Sequence, residues 1–101
     1  MKKVKITVMK KVRHDDLIDK YENQIENPCE LEIGQIFMTD GITKPVGLCD
    51  EAWKSISPFA LELANGTDDF FDGWMKNKGS AMVSCNDGFR PVSFLLEAVE
   101  F

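Results

Sequence analysis

Apolar and polar residues alternate along the first segment of the chain. Val4, Ile6 and Val8 are separated by polar side chains, and this period of two is typical of a strand with one buried and one solvated face. Short β-favouring runs recur later, one of them bounded by Gly34 and the turn sequence Asp40-Gly41. Together these patterns predict four strands, over residues 3–9, 33–39, 81–85 and 92–99.

A second kind of segment repeats its apolar residues every three or four positions, which is the spacing of an amphipathic helix. Its first instance follows Asp15, a residue type that favours the N-cap, and is stopped by Asn27-Pro28. The apolar positions are Leu17, Ile18, Tyr21 and Ile25. We therefore predict a helix over residues 16–25.

The same spacing appears again between Asp50, a second candidate N-cap, and the stop sequence Asn65-Gly66. Its apolar face consists of Trp53, Ile56, Ala60 and Leu63. Pro58 interrupts the segment, and proline is disfavoured inside a helix but favoured at its first position. The sequence is consistent either with one kinked helix or with two helices, over residues 50–56 and 58–65.

The predicted order of elements is strand, helix, strand, one or two helices, strand, strand. We expect a single α+β domain over residues 1–101, with one mostly antiparallel sheet of about four strands and two or three helices on one side. Residues 86–91 should form a hairpin-type connection with Gly88 in a left-handed conformation. The first and last strands are expected to be the central pair, which brings the two ends of the domain together.

Charge is distributed unevenly along the chain. Residues 2–13 contain six of the twelve basic residues and no acidic one, whereas the segment from Asp15 onward has a formal charge of −11. An acidic body repels phosphate backbones, so no nucleic-acid partner is expected. We interpret the lysines as the solvated face of an edge strand, where charge discourages unwanted pairing. Electrostatic self-association into a homo-oligomer stays open.

No run of about 18 apolar residues, the length that a membrane helix requires, is present in the sequence. The first residues alternate instead of forming the apolar core of a signal peptide. We therefore expect a cytoplasmic protein with no membrane partner. The composition, with 44 % apolar residues in 101 positions, is that of a globular domain with one core.

Three cysteines carry the most interesting candidate chemistry. Cys29, Cys49 and Cys85 each lie at the junction of a predicted element and a turn, where functional side chains often project. Cys49 directly precedes a predicted helix, whose N-terminal amides and dipole stabilise a thiolate. An odd number of cysteines in a cytoplasmic chain favours reduced thiols, metal ligands or redox chemistry over a disulfide framework.

The spacing of these cysteines leaves several interpretations open. No CxxC pair is present, so the signal for a zinc or iron–sulfur site is not specific. If the three thiolates converge, they would form a metal site with His14 as a weak fourth candidate. Alternatively, Cys49 and His14 would act as nucleophile and base. The simplest alternative is that the cysteines are small buried hydrophobic residues.

The segment between the second helix and the third strand is polar but unusually aromatic. Phe70, Phe71, Trp74 and Met75 lie within a stretch rich in Gly, Asp, Asn and Lys. A merely solvated loop has no reason to contain them, so we expect the loop to pack on the domain, on a neighbouring subunit or on a partner. A small-molecule pocket between Trp53 and Trp74 is compatible both with a thiolate site at the cysteines and with a partner-binding loop.

Two weaker groups of charged residues are best interpreted as turns. Asp68, Asp69 and Asp72 lack the spacing of a calcium loop. Asp87 and Arg90 flank Gly88 and are expected to form a local ion pair that fixes the turn, or else to orient a ligand beside Cys85.

The motifs around the cysteines occur in a fixed order along the chain. They are Cys29, Gly34-Gln35 before an aromatic residue, Gly47-Leu48-Cys49 before a helix, and Cys85-Asn86-Asp87-Gly88. In this pattern the sequence resembles, over nearly its whole length, a family of small prokaryotic proteins that are frequent in anaerobes and have no established activity. The resemblance implies that the three thiols matter together. Some members have a Gly-His pair where this chain has Glu32-Ile33, so a histidine ligand would be missing there.

The sequence therefore favours a thiolate site formed by Cys29, Cys49 and Cys85, which binds zinc or an iron–sulfur cluster or performs thiol redox chemistry. The alternative is a non-enzymatic homo-oligomeric or partner-binding module, in which these cysteines are buried structural residues and the aromatic loop makes the contact. Whether the protein is an enzyme, and with which substrate, does not follow from the residues.

Overall fold

The computed structural model describes residues 2–24 and 29–99. Its elements are β1 (Lys3–Lys11), α1 (Asp15–Tyr21), β2 (Ile36–Thr39), α2 (Asp50–Ala64), β3 (Ser80–Ser84) and β4 (Val92–Val99). This order and the single four-stranded antiparallel sheet confirm the expected α+β class. Neither helix within the described ranges has the length and apolar character needed to cross a bilayer.

The strands lie in the order β2-β1-β4-β3, so the first and last strands form the central pair, as predicted. Lys3 lies opposite Val99 in this pairing, which brings the two ends of the domain together. The interpretation of β1 as an edge strand is wrong, because it is paired on both sides. Its polar side chains, such as Lys5, lie instead on the face of the sheet opposite the core.

The core lies between one face of the sheet and α2. Alternate residues of β1 and β4 point to this face and are fully buried, as period two requires, and so is one side of α2. The main contributors are Val4, Ile6, Val8, Ile56, Ala60, Leu63, Phe94 and Leu96. On the opposite face a row formed by Ile36, Thr7, Leu95 and Met82 crosses all four strands.

Helix α2 runs through Pro58 as one element, which decides between the two alternatives. Its N-cap is Cys49 and not Asp50, which occupies the first helical position. The helix ends where expected, with Asn65 as C-cap and Gly66 at a positive φ of 98°.

Helix α1 ends at Tyr21, several residues earlier than predicted, and begins at Asp15 with His14 as its N-cap. None of its described residues is buried, so packing does not extend it. It is held by its ends, through the backbone bond from His14 to Phe89 and the ion pair between Glu22 and Arg90. The predicted last helical residue, Ile25, and the predicted stop at Asn27-Pro28 lie outside the described residues.

The connection between β3 and β4 is fixed by Asp87, although not by an ion pair with Arg90. The Asp87 carboxylate accepts hydrogen bonds from the backbone N–H groups of Phe89 and Arg90, at 2.8 and 3.1 Å. The Arg90 guanidinium turns away to Glu22. Gly88 does not have a positive φ, so its predicted left-handed conformation is wrong.

Candidate functional site

The three cysteines lie at the same end of the sheet. Lys11 and Val92 are paired there, so β1 ends where β4 begins, and β3 also ends there because Ser84 pairs with Ser93. The Lys11 ammonium donates to the carbonyl oxygen of Cys29 at 3.3 Å. At the start of α2, Glu51 accepts a hydrogen bond at 3.0 Å from the amide of Asn86, next to Cys85.

Cys49 is the exposed cysteine and caps α2. Its sulfur accepts a hydrogen bond from the backbone N–H of Ala52 at 3.4 Å. The sulfur therefore lies at the N-terminal amides of a 15-residue helix, where it takes the place of the usual capping oxygen.

Two carboxylates of the first helical turn directly follow Cys49, and both are held by partners. A hydrogen bond and the charge of Lys44 hold the pKa of Asp50 below its usual value. Hydrogen bonds from Asn86 and then Lys54 lower the pKa of Glu51 in the same direction. Both side chains are largely exposed, so water screens their charges.

Cys29 and Cys49 border the same open cleft of about 530 Å³. Buried Leu31 and Leu48 contribute to its wall, and Lys44 and Gln35 are among its polar lining. Cys29 itself is half-buried and packs against the core. The arrangement places one exposed and one partly buried thiol around a shared, solvent-accessible space.

Cys85 has a different environment. It is half-buried against the core, and its backbone N–H donates to the carbonyl oxygen of Val92 at 3.0 Å. Its sulfur accepts from the backbone N–H of Val92 at 3.3 Å. Cys85 is not among the residues that line the cleft. These contacts extend the β3–β4 pairing by one residue, which is a structural role.

The structure does not bring the predicted metal ligands together. Within residues 2–24 and 29–99, no group of three or more His, Cys, Asp and Glu side chains is arranged to hold a metal ion. His14 lies at the N-terminus of α1 and does not line the cleft that Cys49 borders. Zinc or iron–sulfur binding through Cys29, Cys49, Cys85 and His14 stays a prediction from the sequence.

The aromatic loop, residues 70–75, divides into a buried and an exposed part. Phe70 is buried, and its ring lies 5.7 Å from that of Phe59 on α2. Phe71 is 38 % exposed and Trp74 is 83 % exposed. Phe71 and Asp72 also have positive φ angles of 58° and 51°, a conformation that costs non-glycine residues about 1 kcal/mol or more each.

The two tryptophans do not line a shared pocket: Trp53 borders a shallow cavity with Ile42 and Pro58, and Trp74 is not part of its lining. The carboxylate of Asp69 accepts from the backbone N–H of Gly73 at 3.0 Å, which makes it part of a local turn, as expected for this acidic group.

One group of residues was missed by sequence reasoning. Another cavity, of about 220 Å³, also borders Cys29 and is lined by Lys11, Val12, Arg13, Cys29 and Arg90. The basic residues at positions 10–13 indicated a positively charged surface in the sequence. The contribution of Arg90 could not be predicted in the same way, because it depends on the β3–β4 connection folding back beside β1. Comparisons of the chain with protein-family models, with curated proteins and with solved structures found no match, and the resemblance to a three-cysteine family stays a prediction from the sequence.

Proposed function

We propose that the protein performs dithiol–disulfide exchange, with Cys49 as the attacking thiol and Cys29 as the resolving thiol. The observation that supports this is that both border one open cleft, while Cys49 is exposed at the N-terminus of α2. A reducing cytoplasmic environment, expected from the sequence, would keep both thiols available between reactions.

Cys49 is the better candidate for the first step because attack requires an accessible thiolate. Cys49 is the exposed thiol of the pair, and its sulfur lies at the start of α2, where a substrate disulfide can reach it. Cys29 is half-buried and borders the same space, as suits a thiol that acts after the substrate has bound.

The exchange consists of two successive displacements at sulfur. The Cys49 thiolate attacks one sulfur of a small disulfide, the substrate S–S bond breaks, and the first substrate thiol leaves. Cys29 then attacks the Cys49 sulfur of the mixed disulfide, and the second substrate thiol leaves. The two protons of Cys49 and Cys29 end on the two departing thiols. The protein is oxidised by two electrons, and the disulfide is reduced by the same two.

The test uses the reduced full chain and bis(2-hydroxyethyl) disulfide, an uncharged probe, followed by mass spectrometry. We expect a transient adduct on Cys49 and then a protein disulfide between Cys29 and Cys49. Cys29→Ser should accumulate the adduct on Cys49, whereas Cys49→Ser should no longer react with the probe disulfide. Serine is itself a good N-cap, so the second variant keeps the helix start, and circular dichroism checks the fold of each variant.

Cys85→Ser is the matched control and should react like the wild type. The proposal fails if the native thiols react only after denaturation, or if Cys85→Ser loses the reaction as Cys49→Ser does. A stable adduct on Cys49 in the wild-type chain, with no bond to Cys29, would also contradict it, because the resolving step would be absent.

A second candidate function is self-association through the aromatic loop. It is favoured by the exposure of Trp74 and by the strained backbone at Phe71 and Asp72, which present two aromatic rings to solvent. In this case the mass in solution should exceed that of a monomer and fall in Trp74→Ala. Val46→Ala, at a 98 % exposed apolar residue elsewhere, is the control and should leave the mass unchanged. A monomer in both wild type and Trp74→Ala would exclude this function.

A further inference from the structure

The 220 Å³ cavity that borders Cys29 differs from the rest of the surface in charge. Three of the five residues that line it are basic, namely Lys11, Arg13 and Arg90, and the other two are Val12 and Cys29. We call this cavity the cationic pocket. The chain from Asp15 onward has a formal charge of −11, so a cavity lined by basic and uncharged residues is unusual in this protein.

Arg90 is held by a partly buried ion pair with Glu22, so the hydrogen-bonding capacity for a ligand belongs to Lys11 and Arg13. Lys11 donates to the carbonyl oxygens of Leu31 at 2.6 Å and Cys29 at 3.3 Å, neither of which has a formal charge to neutralise the ammonium. Arg13 pairs with Asp15, but its side chain is 65 % exposed, and an exposed ion pair is weak enough to be exchanged. A guanidinium has five N–H donors in a planar fork that matches a carboxylate.

Cys29 connects the two cavities, because it lines both the cationic pocket and the cleft that it shares with Cys49. A molecule whose disulfide reacts in the cleft would therefore have its other end near Arg13 and Lys11. At about 220 Å³ the cationic pocket is smaller than cavities for whole drug-sized ligands, which are about 300–1,000 Å³, and suits an end group.

We propose that the cationic pocket binds a carboxylate of the substrate, so that the protein reacts preferentially with anionic low-molecular-weight disulfides. This inference rests on the proposed dithiol–disulfide exchange. The acidic remainder of the surface repels such molecules, and the pocket offsets that repulsion beside the reacting thiols. The reaction is the same pair of displacements, with both electrons passing to the anionic disulfide and one proton to each departing thiol.

The experiment compares oxidised glutathione, which is anionic, bis(2-hydroxyethyl) disulfide, which is neutral, and cystamine, which is cationic. Second-order rate constants of Cys49 modification are measured by mass spectrometry in the wild type and in Arg13→Gln. For each disulfide, the rate constant of Arg13→Gln is compared with the rate constant of Lys78→Gln. This control variant also loses one positive charge, but from the loop at the opposite end of the sheet.

We expect Arg13→Gln to slow the reaction with oxidised glutathione by about threefold, the size of an exposed ion-pair contribution. The reaction with the neutral disulfide should not change, and the reaction with cystamine should become faster. Salt at about 0.5 M should remove most of the difference, because screening shortens the range of these interactions.

The two proposals fail in different ways. If Cys49 reacts with all three disulfides and Arg13→Gln affects them equally, the pocket does not select anions and only this inference is overturned. The same conclusion follows if Lys78→Gln has the effect of Arg13→Gln, since net charge would then explain it. If native Cys49 reacts with none of the three, dithiol exchange itself is overturned, and the inference with it.

Discussion

Replacement of Gly41 by alanine tests how tightly the connection after β2 packs on α2. Gly41 is buried and has a φ of +92°, which side chains rarely adopt. A Cβ built there would lie 2.5 Å from Cβ of Ala64 and 3.1 Å from the carbonyl oxygen of Ala60. Neither atom belongs to a flexible side chain, so the backbone must shift to make room.

The expected loss of stability has two parts. The positive φ alone costs an alanine about 1–2 kcal/mol. The contact with Ala64 adds about 1–3 kcal/mol, as forced overpacking does. The sum of about 2–5 kcal/mol is a large fraction of the total stability of about 5–15 kcal/mol expected for a domain of this kind. The melting temperature should fall by about 4–8 °C for each kcal/mol.

Gly34→Ala is the matched control because Gly34 has nearly the same φ, +90°, and no atom within 4 Å of the position its Cβ would take. Urea unfolding followed by tryptophan fluorescence gives the free energy of unfolding of both variants. The difference between them isolates the close contact. In the double variant Gly41→Ala with Ala64→Gly, the coupling should recover about 1 kcal/mol or more.

Equal destabilisation by Gly41→Ala and Gly34→Ala would refute this reasoning, because no loss of stability would then be left for the contact with α2.

Gly41→Ala should also affect the reactivity of Cys49. Residues 40–49 lead from this contact to Lys44 and Cys49, so a shift at Gly41 should alter the rate at which Cys49 reacts, whereas Gly34→Ala should leave the packing of that segment on α2 intact.

Two further predictions concern acid stability and metal content. Backbone hydrogen bonds from Thr43 and then Ile42 hold the pKa of Asp40 in the folded protein below its usual 3.8. The stability that the ionised Asp40 contributes is therefore present above pH 3.8, and it is lost as the pH falls through the lower pKa of the folded state. Thermal melts across this range should show Asp40→Asn less stable than the wild type near neutral pH and the difference vanishing in acid; a constant difference would contradict the assignment. Anaerobic purification followed by metal analysis and an absorption spectrum should give substoichiometric zinc and iron, because the cysteines do not form a cluster; one tightly bound ion per chain, lost in Cys49→Ser, would show that they converge in solution.

Local patterns determined most of the secondary structure, and the errors have physical causes. The alternation at Val4, Ile6 and Val8 predicted β1 because burial on one face follows from period two. The central pairing of β1 with β4 was expected from the order of elements, but the lysines of β1 were wrongly taken as the mark of an edge strand, because they are equally compatible with the solvated face of a central strand. The predicted length of α1 relied on apolar spacing, yet the described helix buries none of its residues.

The candidate site could be predicted only in part. Cys29, Cys49 and Cys85 were expected at element boundaries, and the antiparallel sheet brings those boundaries to one end. Which thiols share a cleft depends on side-chain direction. Cys49 takes the N-cap position that Asp50 was expected to hold, and Cys85 bonds to Val92. The cationic pocket also needed Arg90, far along the chain from Arg13.

The central pairing of β1 with β4 also bears on how the chain folds during synthesis. Before Val92–Val99 emerges, β1 has only the four-residue β2 as a neighbour, and β3 has no partner in the sheet. Long-range pairing of this kind is slow, because the entropy of closing the loop is lost before contacts compensate. The sheet, and with it the end that holds all three cysteines, therefore assembles only after β4 has left the ribosome.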